Sequence, residues 1–361
     1  MKIAIMAPLV TPIREPQRGG SQAFVADLAR GLTDRGHEVH VYAATGSQIP
    51  GVRVVDTGVD ARSLASTLYR ADAAPTANVT AAEAAFSAAY AHVQPTRYDV
   101  IHNHAFDPPA VRLAAMLPSP VAHTLHLPPD KRMAAELSSA ARGTSRPAVA
   151  VVSQSQATAW RQVIPVDAIL PPYVPTASIA FAPAASDGAV FAGRFSPEKG
   201  VAEAIDIARA AGIPIDVYGD SYDDDYTKAE VDSRRTLAGV TVHAGVTRTL
   251  LWTALAKASV VLCPAKWDEP FGMVAAEAQA CGTPVVAFNR GGLSEVIVDS
   301  VTGFLVRPDD VAGAAEAVRH VAALSRRACR EHAERNLDFG RTLDAHEQFY
   351  RQVANGGAVN G

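Results

Sequence analysis

The sequence predicts two doubly wound α/β domains in succession, on three observations. Short runs that are apolar on both faces alternate with segments of helical period along the 361 residues, as strands buried between helices require. The alternation occurs as two consecutive sets, each sufficient for one such sheet. Between them lies a proline-rich seam, residues 164 to 187, with Pro165, Pro171, Pro172, Pro175 and Pro183 and no sustained period, which is a linker composition. A typical domain of about 150 residues gives the same count.

The elements follow in order. Ile3 to Ala7 is the first strand, and a long loop from Pro8 to Arg18 leads to the pair Gly19-Gly20. Over Ser21 to Arg35 the residues Phe24, Val25, Leu28, Ala29 and Leu32 form one stripe, and Gly36 stands where a helix-terminating glycine belongs. Strands are expected at Val39 to Ala43, Val52 to Val55, Asp99 to His102, Val121 to Leu125 and Ala148 to Val152, with a helix over Ala81 to Val93. The second set is Ala189 to Ala192, Ile215 to Gly219, Val240 to Ala244, Val260 to Pro264, Val285 to Phe288 and Gly303 to Val306. Val311 to Leu324 reads as a helix, an amphipathic stretch runs over 341 to 353, and the tail from Asn355 is expected to fray. The boundaries implied are 1–172 and 173–335, with 336–361 as a terminal appendage.

Composition narrows the function. The formal charge of −4, from 33 Lys and Arg against 37 Asp and Glu, is too mild for a dedicated nucleic-acid binder. No apolar run approaches the ~18 residues of a membrane span, and the start lacks the marks of a signal peptide. Cys263, Cys281 and Cys329 are odd in number and unclustered, which points to a reducing, cytoplasmic setting rather than to disulfides or zinc. Lys131, Arg132, Arg142 and Arg146 make a modestly basic segment, read as a solvated helix before a membrane contact.

The segment from Pro264 to Val286 carries the most chemistry. A buried strand ends at Cys263-Pro264, a loop holds Glu269, and a helix is expected to begin around Phe271 to Gly272 and to stop at Gly282. Ligands of open α/β sheets bind outside the carboxyl ends of the strands, where this loop sits. First-turn amides of Phe271, Gly272 and Met273 would face that crevice as unpaired donors, suited to phosphate or sugar oxygens. Glu269 and Glu277 are acceptors fit for the diols of a sugar. Taken alone, the pair is equally a dipole-favoured loop acid and a solvated helix residue, but Glu277 lies among Ala275, Ala276, Ala278 and Ala280, where a solvated glutamate gains little.

This segment resembles the E-x7-E signature of family 4 of the retaining glycosyltransferases. The resemblance implies the GT-B fold, two Rossmann-like domains facing across a cleft, and covers nearly the whole chain, more specifically in the second domain. A second motif, Val190 to Gly200, ends a strand at Gly193-Arg194, with Ser196 as a good N-cap, Pro197 at the first helical position and Lys199 in the first turn. Arg194 and Lys199 together at a positive helix end invite an anion. Read plainly, they are surface bases paired with Glu198 or solvent; in the similar family these positions hold the donor diphosphate.

In similar transferases the Gly19-Gly20 pair approaches the donor phosphates, and it is not the G-x-G-x-x-G of a dinucleotide site. His126, after the strand Val121 to Leu125, matches a family histidine close to the transferred sugar; otherwise it caps a strand end. His102, His104, His123 and His126 lack the cysteines or paired carboxylates that would complete a metal site, and Asp223-Asp224-Asp225 reads as a solvated loop. No metal or cofactor is therefore expected.

The resemblance implies a retaining glycosyltransferase with a nucleotide-diphosphate-sugar donor, UDP-sugar favoured, and a hydroxyl or amine acceptor. Glu277 takes the ribose hydroxyls, and Glu269 with the Phe271, Gly272 and Met273 amides orients the sugar. The nucleotide lies near Gly219, Asp220 and the turn Gly245-Val246-Thr247. The last helix crosses back to the first domain. No carboxylate stands out as a nucleophile, which favours front-face transfer over a covalent intermediate. A nucleotide-sugar 2-epimerase of the same fold and a non-catalytic nucleotide-sugar-binding protein are the alternatives.

Overall fold

The computed structural model describes residues 1–17, 19–67, 79–142, 146–186 and 188–356. Contacts divide the chain into two units, the first comprising Met1–Arg14, Gly20–Pro171 and the chain from Thr342, the second Glu15–Gly19 and Pro172–Arg341. The tail beyond Gly356, expected to fray, lies outside the described residues.

The first unit is a seven-stranded parallel sheet ordered β3-β2-β1-β4-β5-β6-β7. Its strands are β1 (Lys2–Met6), β2 (Glu38–Ala43), β3 (Arg53–Asp56), β4 (Val100–Asn103), β5 (Val121–Leu125), β6 (Ala148–Val151) and β7 (Ala168–Ile169). The helices α1 (Gly20–Asp34), α2 (Val79–Val93), α3 (Pro108–Ala114), α4 (Lys131–Ala140) and α5 (Gln154–Trp160) connect them. β1 lies between β2 and β4, with Ile3 registered to both Val39 and Val100, and Ile3, Ala4, Ile5 and Met6 are fully buried. That two-sided burial is why the strand reads as a continuous apolar run.

The second unit is a six-stranded sheet ordered β10-β9-β8-β11-β12-β13. It comprises β8 (Ala189–Ala192), β9 (Ile215–Tyr218), β10 (Val240–His243), β11 (Val260–Cys263), β12 (Val285–Phe288) and β13 (Gly303–Val306). The helices are α6 (Val201–Ala211), the single turn α7 (Asp224–Tyr226), α8 (Arg248–Lys257), α9 (Met273–Cys281), the short α10 (Leu293–Val296), α11 (Val311–His320) and α12 (Arg326–Asn336). Its main core joins Phe191, Ile205, Val217, Leu262 and Phe288. The terminal helix α13 (Phe339–Ala354) lies, from Thr342 on, in the first unit. There Tyr350 is fully buried and its hydroxyl meets His102 Nδ1 at 2.7 Å.

Each sheet has one topological switch point, between β1 and β4 in the first unit and between β8 and β11 in the second. At such a point neighbouring strands send their connections in opposite directions and leave a crevice at their carboxyl ends.

The structure corrects the sequence reading in several places. β7 pairs with β6 inside the segment read as linker; two residues flanked by prolines carry no periodic signal, and proline is tolerated at such an edge. α12 escaped because RRACREHAERN is polar almost throughout and buries only Cys329 and Ala333. Ser196 does not cap an α-helix. It precedes a 3₁₀ turn, Pro197–Lys199, and its buried hydroxyl has no partner among the described residues. The α-helix starts only at Val201, after Gly200 at φ 72°. The acidic run is not a free loop, since Asp223 caps α7 by accepting from the Tyr226 amide at 3.0 Å. Arg146 is paired with Asp167 and does not join a basic face.

Candidate active site

At the switch point of the second unit, the loop after β8 packs on the loop after β11. A Cβ at Gly200 would fall 2.0 Å from the Pro264 carbonyl oxygen, so the approach demands glycine, as does the left-handed backbone. The Lys266 amide donates to the Glu198 carbonyl at 2.9 Å and ties the loops a second time. Arg194, next to Gly193, and Lys199 thereby come alongside Trp267, and Lys199 meets Glu269.

The polar groups in this crevice are closely matched. Lys199 Nζ lies 2.9 and 2.8 Å from the two oxygens of Glu269, and the Trp267 indole N–H donates to the same carboxylate at 2.8 Å. Arg194 contacts Glu198 Oε1 through Nε at 3.1 Å and Nη2 at 2.8 Å. Trp267 faces both bases, with Lys199 Nζ 5.0 Å and the Arg194 guanidinium 6.0 Å from its ring, while Tyr222 lies 4.3 Å from that guanidinium. These separations allow cation–π attraction. The pairing of Arg194 with Glu198, the plainer of the two readings, is present in the structure.

α9 begins later than the sequence suggested. Gly272 is its left-handed N-cap at φ 106°, and the first intrahelical bond runs from the Ala276 amide to the Gly272 carbonyl. The donors left without an intrahelical partner are therefore Gly272, Met273, Val274 and Ala275, so of the expected Phe271, Gly272 and Met273 the last two belong to the set and Phe271 does not. Phe271 is buried and stands 5.8 Å from the Tyr173 ring.

Glu277, in the second turn of α9, is 4% exposed and is not a solvated face residue. Its Oε1 accepts from Arg248 Nε at 3.2 Å and Nη2 at 2.9 Å. Arg248 opens α8 directly after the turn that holds Val246, and its guanidinium lies 4.9 Å from Trp252. Asp220 is tied to that turn by accepting from the Gly245 amide at 3.0 Å. Gly219 and Asp220 thus share one end of the sheet with Val246, while Arg194, Lys199 and Glu269 gather around Trp267.

Sequence reasoning missed Trp267, Tyr222 and Arg248, and named Glu198 only in the plainer reading of Arg194 and Lys199. Trp267 had a signal, an aromatic two residues before Glu269. Arg248 had none, being 29 residues from Glu277. Cys263 ends β11 nearby, and burial, with Glu269 adding to it, pushes its thiol up to about 12, so it stays protonated and unreactive.

The remaining expected residues are Gly19, Gly20 and His126. Gly20 opens α1, and the boundary between the units falls between Gly19 and Gly20. His126 follows β5, partly buried, with Nε2 3.0 Å from His104 Nδ1. Burial lowers the His126 pKa to about 4, so the ring is neutral. His102 Nε2 meets Thr124 Oγ1 at 2.7 Å, and the Asn103 amide donates to His123 Nδ1 at 2.9 Å. Among the described residues no three His, Cys, Asp or Glu side chains are grouped to hold a metal ion.

Comparison with known proteins decides the family. Residues 18–177 match the family model for Glycosyltransferase Family 4, and residues 183–336 match that for Glycosyl transferases group 1. The chain is a GT-B protein of the family 4 glycosyltransferase type. Sucrose-phosphate synthase from Thermosynechococcus elongatus superposes on this GT-B chain at a TM-score of 0.79 and 20% identity, covering 99% of this chain and 100% of that one. Anabaena HepE in complex with UDP and glucose does so at 0.74 and 19%, covering 97% and 99%.

Among curated proteins of this type, the D-inositol 3-phosphate glycosyltransferase of Mycobacterium avium is 29% identical over 410 residues, covering 98% of this chain and 94% of that protein. The glycogen synthase of Mycobacterium tuberculosis H37Rv is 33% identical over 178 residues, and the match spans only 43% of its length. No described helix of this GT-B chain is long and apolar enough to cross a membrane.

Proposed function

We propose that the protein transfers a sugar from a nucleotide-diphosphate sugar, UDP-sugar favoured, to a hydroxyl or amine acceptor with retention of anomeric configuration. The observation that carries the reading is the placing of Lys199 on Glu269 and Arg194 on Glu198 around Trp267, at the switch point of the second domain. A donor diphosphate is the ligand chemistry that matches two such cations, and Glu269, released from Lys199, becomes an acceptor for sugar hydroxyls. The orphan amides of α9 add donors for the same ligand. Glu277 and Arg248 mark the ribose end, beside Asp220 and Val246. On the first domain, His126 supplies a neutral imidazole to a sugar hydroxyl.

The chemistry proposed is a front-face displacement. The bond between the anomeric carbon and the phosphate oxygen lengthens, and the acceptor oxygen or nitrogen bonds to the same face. The acceptor proton passes to the departing phosphate, and a nucleoside diphosphate leaves. Arg194 and Lys199 offset the charge that builds on that phosphate, a role whose loss typically slows catalysis by about 10²–10³. No metal is assigned a part.

The test is transfer from a panel of nucleotide sugars to an acceptor library, reading the anomeric coupling of the product by NMR. Retention and loss of transfer in Arg194→Ala are expected. An inverted product, or a glycosyl–enzyme ester trapped on a carboxylate, would overturn the mechanism. Interconversion of the donor at C2 without an acceptor would mark a 2-epimerase.

A further inference from the structure

The first domain holds an unusual knot of imidazoles. His102, His104 and His346 are fully buried, and Phe24 stands against three rings, with centroids 5.8 Å from His104, 6.0 Å from His126 and 5.8 Å from His346. Two buried ring nitrogens have no partner among the described residues, His104 Nε2 and His346 Nε2.

Hydrogen-bond accounting fixes where the protons sit. His346 Nδ1 lies 2.7 Å from the Thr342 carbonyl oxygen. A carbonyl can only accept, so His346 carries its proton on Nδ1 and its orphan Nε2 is a bare lone pair. His104 poses the same choice through its 3.0 Å bond to His126. If His126 Nε2 donated, His104 would hold its own proton on Nε2 and bury an N–H with nothing to accept it, the rarest kind of orphan. If His104 Nδ1 donates, the orphan is a bare lone pair, the arrangement His346 adopts in the same cluster.

We infer that His104 is a positioning residue that donates from Nδ1 to His126 Nε2 and so holds His126 as the Nδ1–H tautomer. His126 Nδ1, which has no partner among the described residues, then presents a fixed N–H donor. On the proposed transferase reading, that donor meets an oxygen lone pair of the sugar, and His126 is not the base that deprotonates the acceptor. His126→Ala then removes a recognition contact, and proton transfer stays with the leaving phosphate.

The experiment is long-range ¹H–¹⁵N correlation spectroscopy on the labelled full chain at pH 7, with His126→Gln to assign the ring signals. In the wild type, His126 Nδ1 is expected in the protonated range and Nε2 in the unprotonated range. The shared proton should show its one-bond coupling to His104 Nδ1. His104→Asn, whose amide N–H stands near the place of Nδ1, should keep the tautomer. His104→Leu should release His126 toward the Nε2–H form that an unconstrained imidazole favours, while the His346 Nδ1–H signal certifies the intact cluster.

A wild-type His126 protonated on Nε2 overturns the inference, as does an unchanged His126 in a folded His104→Leu. Should His104→Leu fail to fold, the wild-type proton coupling and His104→Asn decide the matter. None of these spectra needs donor or acceptor, so their failure leaves the transfer reading standing, and absence of transfer leaves the tautomer standing.

Discussion

The two domains share a topology and solve the electrostatics of their strand ends in opposite ways. In the first, the carboxyl ends of β4 and β5 carry buried, neutral imidazoles hydrogen-bonded to one another and to Thr124, Asn103 and Tyr350. In the second, the loops after β8 and β11 bring together Arg194 and Lys199, each paired with a carboxylate. A neutral cluster is built to stay as it is. Matched ion pairs can exchange one partner for an incoming anion, because a phosphate oxygen replaces a carboxylate oxygen with little change in the cation's surroundings. On the proposed reading, the charged end takes a ligand that arrives and leaves as an anion, and the neutral end one recognised by its hydroxyls.

The largest expected effect breaks the charged end. Arg194→Ala and Lys199→Ala should each lower kcat/KM for the donor about 10²–10³-fold. Steady-state kinetics with the accepted nucleotide sugar checks this, and near-wild-type turnover in both variants would remove the diphosphate from this crevice. Next is Glu277→Leu, which takes one member from a pair whose side chains are 5% and 13% exposed. Breaking a buried pair from one side destabilises by about 3–5 kcal/mol, and a denaturant midpoint equal to wild type would show that the Glu277 contact is not what holds Arg248.

The neutral end is tested by acid. Burial holds His126, His123 and His346 at a pKa of about 4 and His102 and His104 well below their usual range. Because these folded-state values are depressed, the unfolded chain binds more protons once the pH drops below about 6.5, the unfolded histidine value. Stability is therefore full above that pH and is lost as pH falls toward 4, by about 1.4 kcal/mol per pH unit for each such group. His346→Leu should flatten the slope between pH 6.5 and 4.5 by one group's share; parallel curves for variant and wild type would contradict the burial argument. The smallest effect is Trp267→Phe, which removes the indole N–H on Glu269 and keeps a ring beside Lys199. A loss of about 1 kcal/mol would weaken donor binding roughly fivefold by calorimetry.

What could be read from residues alone follows the same contrast. The sheets were legible because strands buried on both faces are written as runs such as Ile3 to Met6 and Val285 to Phe288. The motif residues Arg194, Lys199, Glu269 and Glu277 were legible because charged residues beside glycines at the ends of such runs have few structural uses. Their pairings were legible only in part: Glu198 was named beside Arg194, but the Lys199–Glu269 and Arg248–Glu277 pairs were not. Glu277 finds Arg248 only once the β10–α8 turn is set against α9, and His102 meets Tyr350 across 248 residues. Local capping logic failed at Ser196 because Gly200 resets the helix start to Val201. At Gly272 the left-handed cap sets the orphan amides at Gly272 through Ala275 and leaves out Phe271.

The central claim is that the paired cations of the second domain exchange their carboxylates for a nucleoside diphosphate. Calorimetry of UDP, GDP, ADP and dTDP, with and without EDTA, on wild type and Arg194→Ala tests it most directly. One nucleotide, UDP first, is expected to bind equally well in EDTA and to lose about 10²-fold or more in affinity in Arg194→Ala. Binding by none of the four, binding only with a divalent cation, or binding indifferent to Arg194 would contradict it.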